Sequence, residues 1–127
     1  MKTMLFLILL APMTNPAFVG NLDEISKAFS QGNADALGQY FDQSVAISIM
    51  DDENFYKKAE AVTVMKSFFA QHSPKTFTPV HQGASKGADA QYCIGNLVAG
   101  ATTFRVYLYM KVSGGVYTIQ EIRVDKQ

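Results

Sequence analysis

The run Phe104 to Met110 alternates strictly, with Arg105, Tyr107 and Tyr109 on one side of a strand and Phe104, Val106, Leu108 and Met110 on the other. An arginine beside two tyrosines can line a pocket for a polar ligand, or it can be the half-wet face of an ordinary sheet. Tyr92 and Asn96 alternate with Ile94 in the same way and carry the same pair of readings. His81, in Thr-Pro-Val-His-Gln, is the one histidine on an expected strand and, with no carboxylate partner assigned, a poor general-base site; an enzyme here would use His81 or Glu121, with Tyr92 or Tyr109 as oxyanion donor. The candidate ligand-binding set is therefore Tyr92, Asn96, His81, Arg105, Tyr107 and Tyr109, and no catalytic set is assigned. Arg105 and Tyr107 read first as an outer face, since arginine is mostly exposed, and His81 reads first as a surface histidine. Cys93 lies in an apolar stretch with nothing nearby to lower its pKa, so it reads as buried filler rather than a nucleophile. His72 and His81 lack a metal-ligand pattern, and Asp51-Asp52-Glu53 lacks the spaced oxygens of a calcium loop. Neither a metal nor a cofactor is expected.

The first twenty residues address the chain. Lys2 precedes an unbroken apolar run of 8 residues, Met4 to Ala11, followed by Pro12, Pro16 and small residues. That is the layout of a cleaved signal peptide; a membrane span would need roughly 20 apolar residues. The expected division is 1–20 signal peptide and 21–127 one exported domain, secreted or periplasmic, with no membrane attachment after cleavage. Acidic and basic residues number 11 each; losing Lys2 leaves 10 against 11. Such a balance argues against nucleic acid as a partner, which calls for a basic excess. A single cysteine permits no intrachain disulfide.

The patterning predicts helices first and strands after. Asn21 and Glu24 form a capping box ahead of a helix closed by Gly32, and Asn33 caps a short second helix with Leu37, Tyr40 and Phe41 on one face. Val45 to Met50 reads as a strand and Asp51 to Asn54 as a turn. Ala59, Val62, Met65 and Phe69 mark a third helix stopped by Pro74, and Phe29, Phe41, Phe68 and Phe69 are core by spacing. From Thr76 on, four strands follow, divided at Gly87-Ala-Asp89, Gly100 and Ser113-Gly114-Gly115. The expectation is α+β, three N-terminal helices packed on a strongly curved antiparallel sheet. With Ser113 opposite Val116, unbroken register would set Glu121 against Leu108 and Arg105 against Val124.

The stretch ISKAFSQGNADALGQYFDQSVAIS resembles the opening helix, Gly-Asn corner and Phe-Asp lead into strand one of the nuclear transport factor 2-like superfamily, a ketosteroid isomerase/cystatin-like cone. YCIGNLVAGATTFRVYLYMK and YTIQEIRV look more narrowly like small secreted bacterial proteins of unknown function within it. The resemblance implies the cone fold and leaves activity open, because this fold carries enzymes, transport factors and binding domains. Ketosteroid isomerase uses an aspartate on strand one and a tyrosine on the first helix. The matching strand here, Ser44 to Met50, has no carboxylate, and the helix position falls near Ile25. The expectation is a non-enzymatic binding domain for a small apolar ligand or peptide. The alternatives are a homodimer through the sheet, as superfamily members often form, and an isomerase or dehydratase using His81 or Glu121.

Overall fold

The computed structural model describes residues 17–84 and 89–127, with side chains from Leu22 onward except Ser113. The expected turn at Gly87-Ala-Asp89 falls mostly outside them. Helix α1, Ala17–Gln31, begins upstream of the expected cap at Asn21 and closes at Gly32, whose φ of 64° is the left-handed conformation that ends helices. Asn33 caps α2, Ala34–Gly38, by accepting the Ala36 amide at 3.0 Å. This helix stops before Tyr40, and Phe41 opens a strand, so the helical face expected to hold both is not formed.

Strands β1, Phe41–Ile49, and β2, Asp52–Lys57, form a hairpin, and α3, Lys58–Gln71, follows it directly. The third helix is thus inserted between strands. β2 corrects the expected turn at Asp51 to Asn54: the loop is Met50 and Asp51 alone, at φ 50° and 71°. Two residues of positive φ make the tight hairpin type that glycine or asparagine usually fills. Asp51→Gly is expected to raise stability by about 0.5–1 kcal/mol by removing the Cβ penalty there, checked by chemical denaturation.

β3 (Thr76–Ala84), β4 (Ala90–Ala99), β5 (Thr102–Ser113) and β6 (Val116–Lys126) complete a six-stranded sheet in the order β2-β1-β6-β5-β4-β3. The sheet is mixed, which corrects the antiparallel expectation: β1 runs parallel to β6, because the C-terminal strand returns beside the first one. Three interruptions bend it. Val80 is extra in β3, Gln120 is extra in β6, and β1 carries extra residues between Phe41 and Ala46. At the β1 irregularity Asp42 accepts a hydrogen bond from Gln120 Nε2 at 2.9 Å, which with the Gln43 amide holds its carboxyl below the usual range.

The core lies between the helices and one face of the sheet. Ile25 and Phe29 of α1 and Met65, Phe68 and Phe69 of α3 meet Phe77, Cys93, Leu97, Phe104, Val106, Leu108 and Met110, all buried. Phe29 stacks on Phe77 at 5.0 Å and meets Phe69 edge-on at 6.0 Å, and Phe68 meets Phe104 edge-on at 5.3 Å. Aromatic side chains occupy the middle of the cone.

Candidate functional site

Strand β5 sorts its residues as the alternation requires. Phe104, Val106, Leu108 and Met110 are buried against the helices; Arg105 is exposed, and Tyr107 and Tyr109 are half-buried on the opposite, outer face. Cross-strand pairing carries that face over the sheet in three rows, since directly paired residues share a side. His81, Ile94, Tyr107, Arg123, Ser48 and Glu53 make the first row. Gly83, Tyr92, Tyr109, Glu121, Ala46 and Phe55 make the second, and Thr78, Asn96, Arg105 and Asp125 the third. All six candidate ligand-binding residues therefore lie on one face, and that face is outside the cone.

The Gln120 bulge decides the electrostatics. Past it the register shifts by one, so Arg105 opposes Asp125 and Glu121 opposes Tyr109, in place of the Val124 and Leu108 partners expected from an unbroken hairpin. Without the extra residue the acids would not alternate with the arginines on this face. Glu121 Oε2 accepts from Arg123 Nε at 2.9 Å, which raises the arginine pKa further. Partial burial and the nearby Glu121 charge push the Tyr107 phenol up. Asn96 Oδ1 accepts from Gln127 Nε2 at 3.1 Å. Ile94, Arg105, Tyr107, Glu121, Arg123 and Asp125 enclose an open hollow of about 390 Å³. Arg123 and Asp125 escaped the sequence reading because their place depends on that bulge.

The rings lie in a line across three strands. A Cβ at Gly83 would fall 2.4 Å from Tyr92 Cε1 and 2.6 Å from its Cζ and Oη, so the Tyr92 ring overlies the bare glycine backbone of β3. The Tyr107 ring is within 26° of parallel to it at 6.3 Å, and His81 sits 5.8 Å to the other side.

The chemistry expected of an isomerase is not brought together. His81 on β3 and Glu121 on β6 share the outer face, yet three strand spacings, about 14 Å, separate them. Among the described residues no cluster of three or more His, Cys, Asp or Glu could hold a metal ion, and no helix is long and apolar enough to cross a membrane. A second hollow of about 350 Å³ lies where α3 meets the β1–β2 turn, lined by Met50, Phe68 and His72 among others. Cys93 is fully buried, and burial pushes its thiol up to about 11 from an ordinary 9.0. The folded state therefore holds this proton where the unfolded chain releases it, so the contribution is intact below pH 9.0 and is lost as pH rises toward 11. Relative to Cys93→Ala, the native chain is expected to lose stability faster over that window, and Cys93 should resist iodoacetamide until the domain is denatured.

The comparisons agree with this architecture. Residues 22–125 match the model of a domain of unknown function, DUF4783. The crystal structure of a DUF4783 protein from Bacteroides uniformis is similar at 28% identity and a TM-score of 0.76, over 83% of this chain and 95% of that one. One from Bacteroides ovatus is similar at 27% identity and a TM-score of 0.77, over 82% and 93%. A nuclear transport factor 2-like protein of unknown function from Silicibacter pomeroyi shares the fold at 11% identity and a TM-score of 0.64, over 87% of this chain and 93% of that one. No curated protein matches. With nearly the whole described domain inside the family match, and the helices and open six-stranded sheet of the nuclear transport factor 2-like fold, the chain belongs to the DUF4783 family.

Proposed function

We propose that the protein is an exported, non-enzymatic binding domain whose working surface is the outer face of its sheet, not the interior of its cone. One observation carries this: Tyr92, Asn96, Arg105, Tyr107 and Tyr109 all stand on the side of the sheet away from the helices, while Phe29, Phe77, Phe68 and Phe104 pack in the cone. A small apolar ligand, the simplest cargo for this fold, would have to displace those rings. The outer face instead offers half-buried tyrosines beside alternating charges, the composition of a recognition surface. Export rests on the N-terminal layout of Lys2, Met4 to Ala11 and Pro12.

Amide shift mapping with a mixed library of aromatic, sugar and peptide-like fragments tests the reading. Shifts clustered at Ile94, Asn96, Arg105, Tyr107 and Arg123 support it; shifts clustered at Phe29, Leu97 and Phe104 would return the site to the cone.

A second copy of the chain is the competing occupant, because two arginines and two acids on one face can meet their opposites across a twofold axis. Sedimentation velocity decides: a dimer that Arg105→Glu disperses supports self-association, and a monomer at every concentration removes it.

A further inference from the structure

The geometry points to a neutral oligosaccharide as the ligand of this face, laid across the tyrosines of β4 and β5. The inference rests on the outer-face reading and names its ligand class.

The first argument is the posture of the rings. Gly83 has no side chain, and Tyr92 uses the space by lying over it; a Cβ there would strike the ring at 2.4 Å. The hydroxyl end of the ring covers backbone, and the residue stays half-buried. The Tyr107 ring lies within 26° of parallel to that of Tyr92, with its centroid 6.3 Å away. Two near-parallel, half-buried rings on neighbouring strands make an aromatic tile. A protein side chain seeks a pocket, whereas a pyranose ring presents a flat face of C–H groups that stacks on such a tile.

The second argument is the rim. The hollow against Tyr107 is bordered by Arg105 and Arg123, which only donate hydrogen bonds, and by Glu121 and Asp125, which only accept them. Every sugar hydroxyl both donates and accepts, so neighbouring hydroxyls of one ring can satisfy both kinds of group. The two positive and two negative charges cancel, so neither an anion nor a cation is favoured, and a neutral polyol is left. Among the described residues the Arg105 side chain makes no hydrogen bond or ion pair, so its donors are available. The tile crosses the neighbouring strands β4 and β5, about 4.8 Å apart and close to the length of one sugar unit, so consecutive sugars of a chain can each meet a ring.

The test is calorimetric titration of the mature protein with cellohexaose, xylohexaose, laminarihexaose and maltohexaose. At least one is expected to bind with a Kd on the order of 0.1–1 mM, with little dependence on salt because the ligand is uncharged. Tyr92→Ala is expected to weaken that binding about tenfold with an unchanged circular dichroism spectrum, in line with loss of one stacking platform. Gly83→Val should weaken it similarly while keeping every tyrosine in the sequence, since it displaces the Tyr92 ring from the strand. No binding by any of the four at about 10 mM would overturn the proposal. So would binding that survives both substitutions, or a dimer that occupies the face. Fragment shifts that still cluster on Ile94, Arg105 and Tyr107 would then keep the outer face as the binding surface and dismiss only the sugar.

Discussion

Replacing Phe29 with alanine is expected to destabilise the domain by about 3–5 kcal/mol, much of the whole stability of a domain of this size. Phe29 is fully buried, stacks on Phe77 of β3 at 5.0 Å, and meets Phe69 of α3 edge-on at 6.0 Å. One ring therefore ties α1 to the far edge of the sheet and to the third helix. Its removal leaves a cavity that three separate elements would have to close. Phe77 would lose its stacking partner while still covering Gly95. Urea denaturation reads the change as a lower midpoint at constant slope. A loss below about 1 kcal/mol would mean that the site collapses freely and that the cone is less tightly filled than these contacts imply.

The second large effect comes from adding volume. Gly95, in the middle of β4, faces the core, and a Cβ there would lie 2.4 Å from Phe77 Cζ and 2.6 Å from Cε1. Phe77 cannot swing away, because Phe29 is stacked against it. Gly95→Val is therefore expected to cost about 3 kcal/mol, lowering the melting temperature by about 10–20 °C. The double variant Gly95→Val/Phe77→Leu should recover part of the loss, since the smaller side chain frees the space. If the double variant is no better than the single one, the clash lies elsewhere and the packing described for β3 on β4 is wrong. Gly83 offers the contrast: its Cβ would meet Tyr92 on the solvent side, where the ring can lift away, so binding is expected to suffer more than folding.

The core was legible where a single period ran unbroken. Phe104 to Met110 alternates without exception, and the structure buries the four residues that the pattern assigns to the core. The Ser113–Val116 pairing was legible too, because Gly114 and Gly115 take φ of 59° and 78°, as a two-residue hairpin needs. Other features left no local mark. β2 reads Asp-Glu-Asn-Phe-Tyr-Lys, almost all exposed, since it is an edge strand with little to bury, so its composition resembles a turn. The parallel pairing of β1 with β6 joins residues some 75 positions apart and has no short-range signal. The extra residue at Gln120 looks like any other in an alternating strand, yet it moves Glu121 beside Tyr109 and Asp125 beside Arg105. The aromatic half of the candidate site was therefore visible in the sequence, and its charged rim was not.

One side of β5 is a filled core, and the other is the proposed recognition surface, open to solvent. Hydroxyl-radical footprinting of the protein, with mass-spectrometric readout, tests this most directly, because this labelling reports exposure without needing the phenolate that the environment of Tyr107 disfavours. After correction for intrinsic reactivity, Tyr92, Tyr107 and Tyr109 are expected to be labelled well ahead of Phe104, Met110 and Tyr117, at every protein concentration. Labelling of Phe104 and Met110 with protection of Tyr107 in the monomer would contradict the account, for it would put Arg105 and the tyrosines inside the cone.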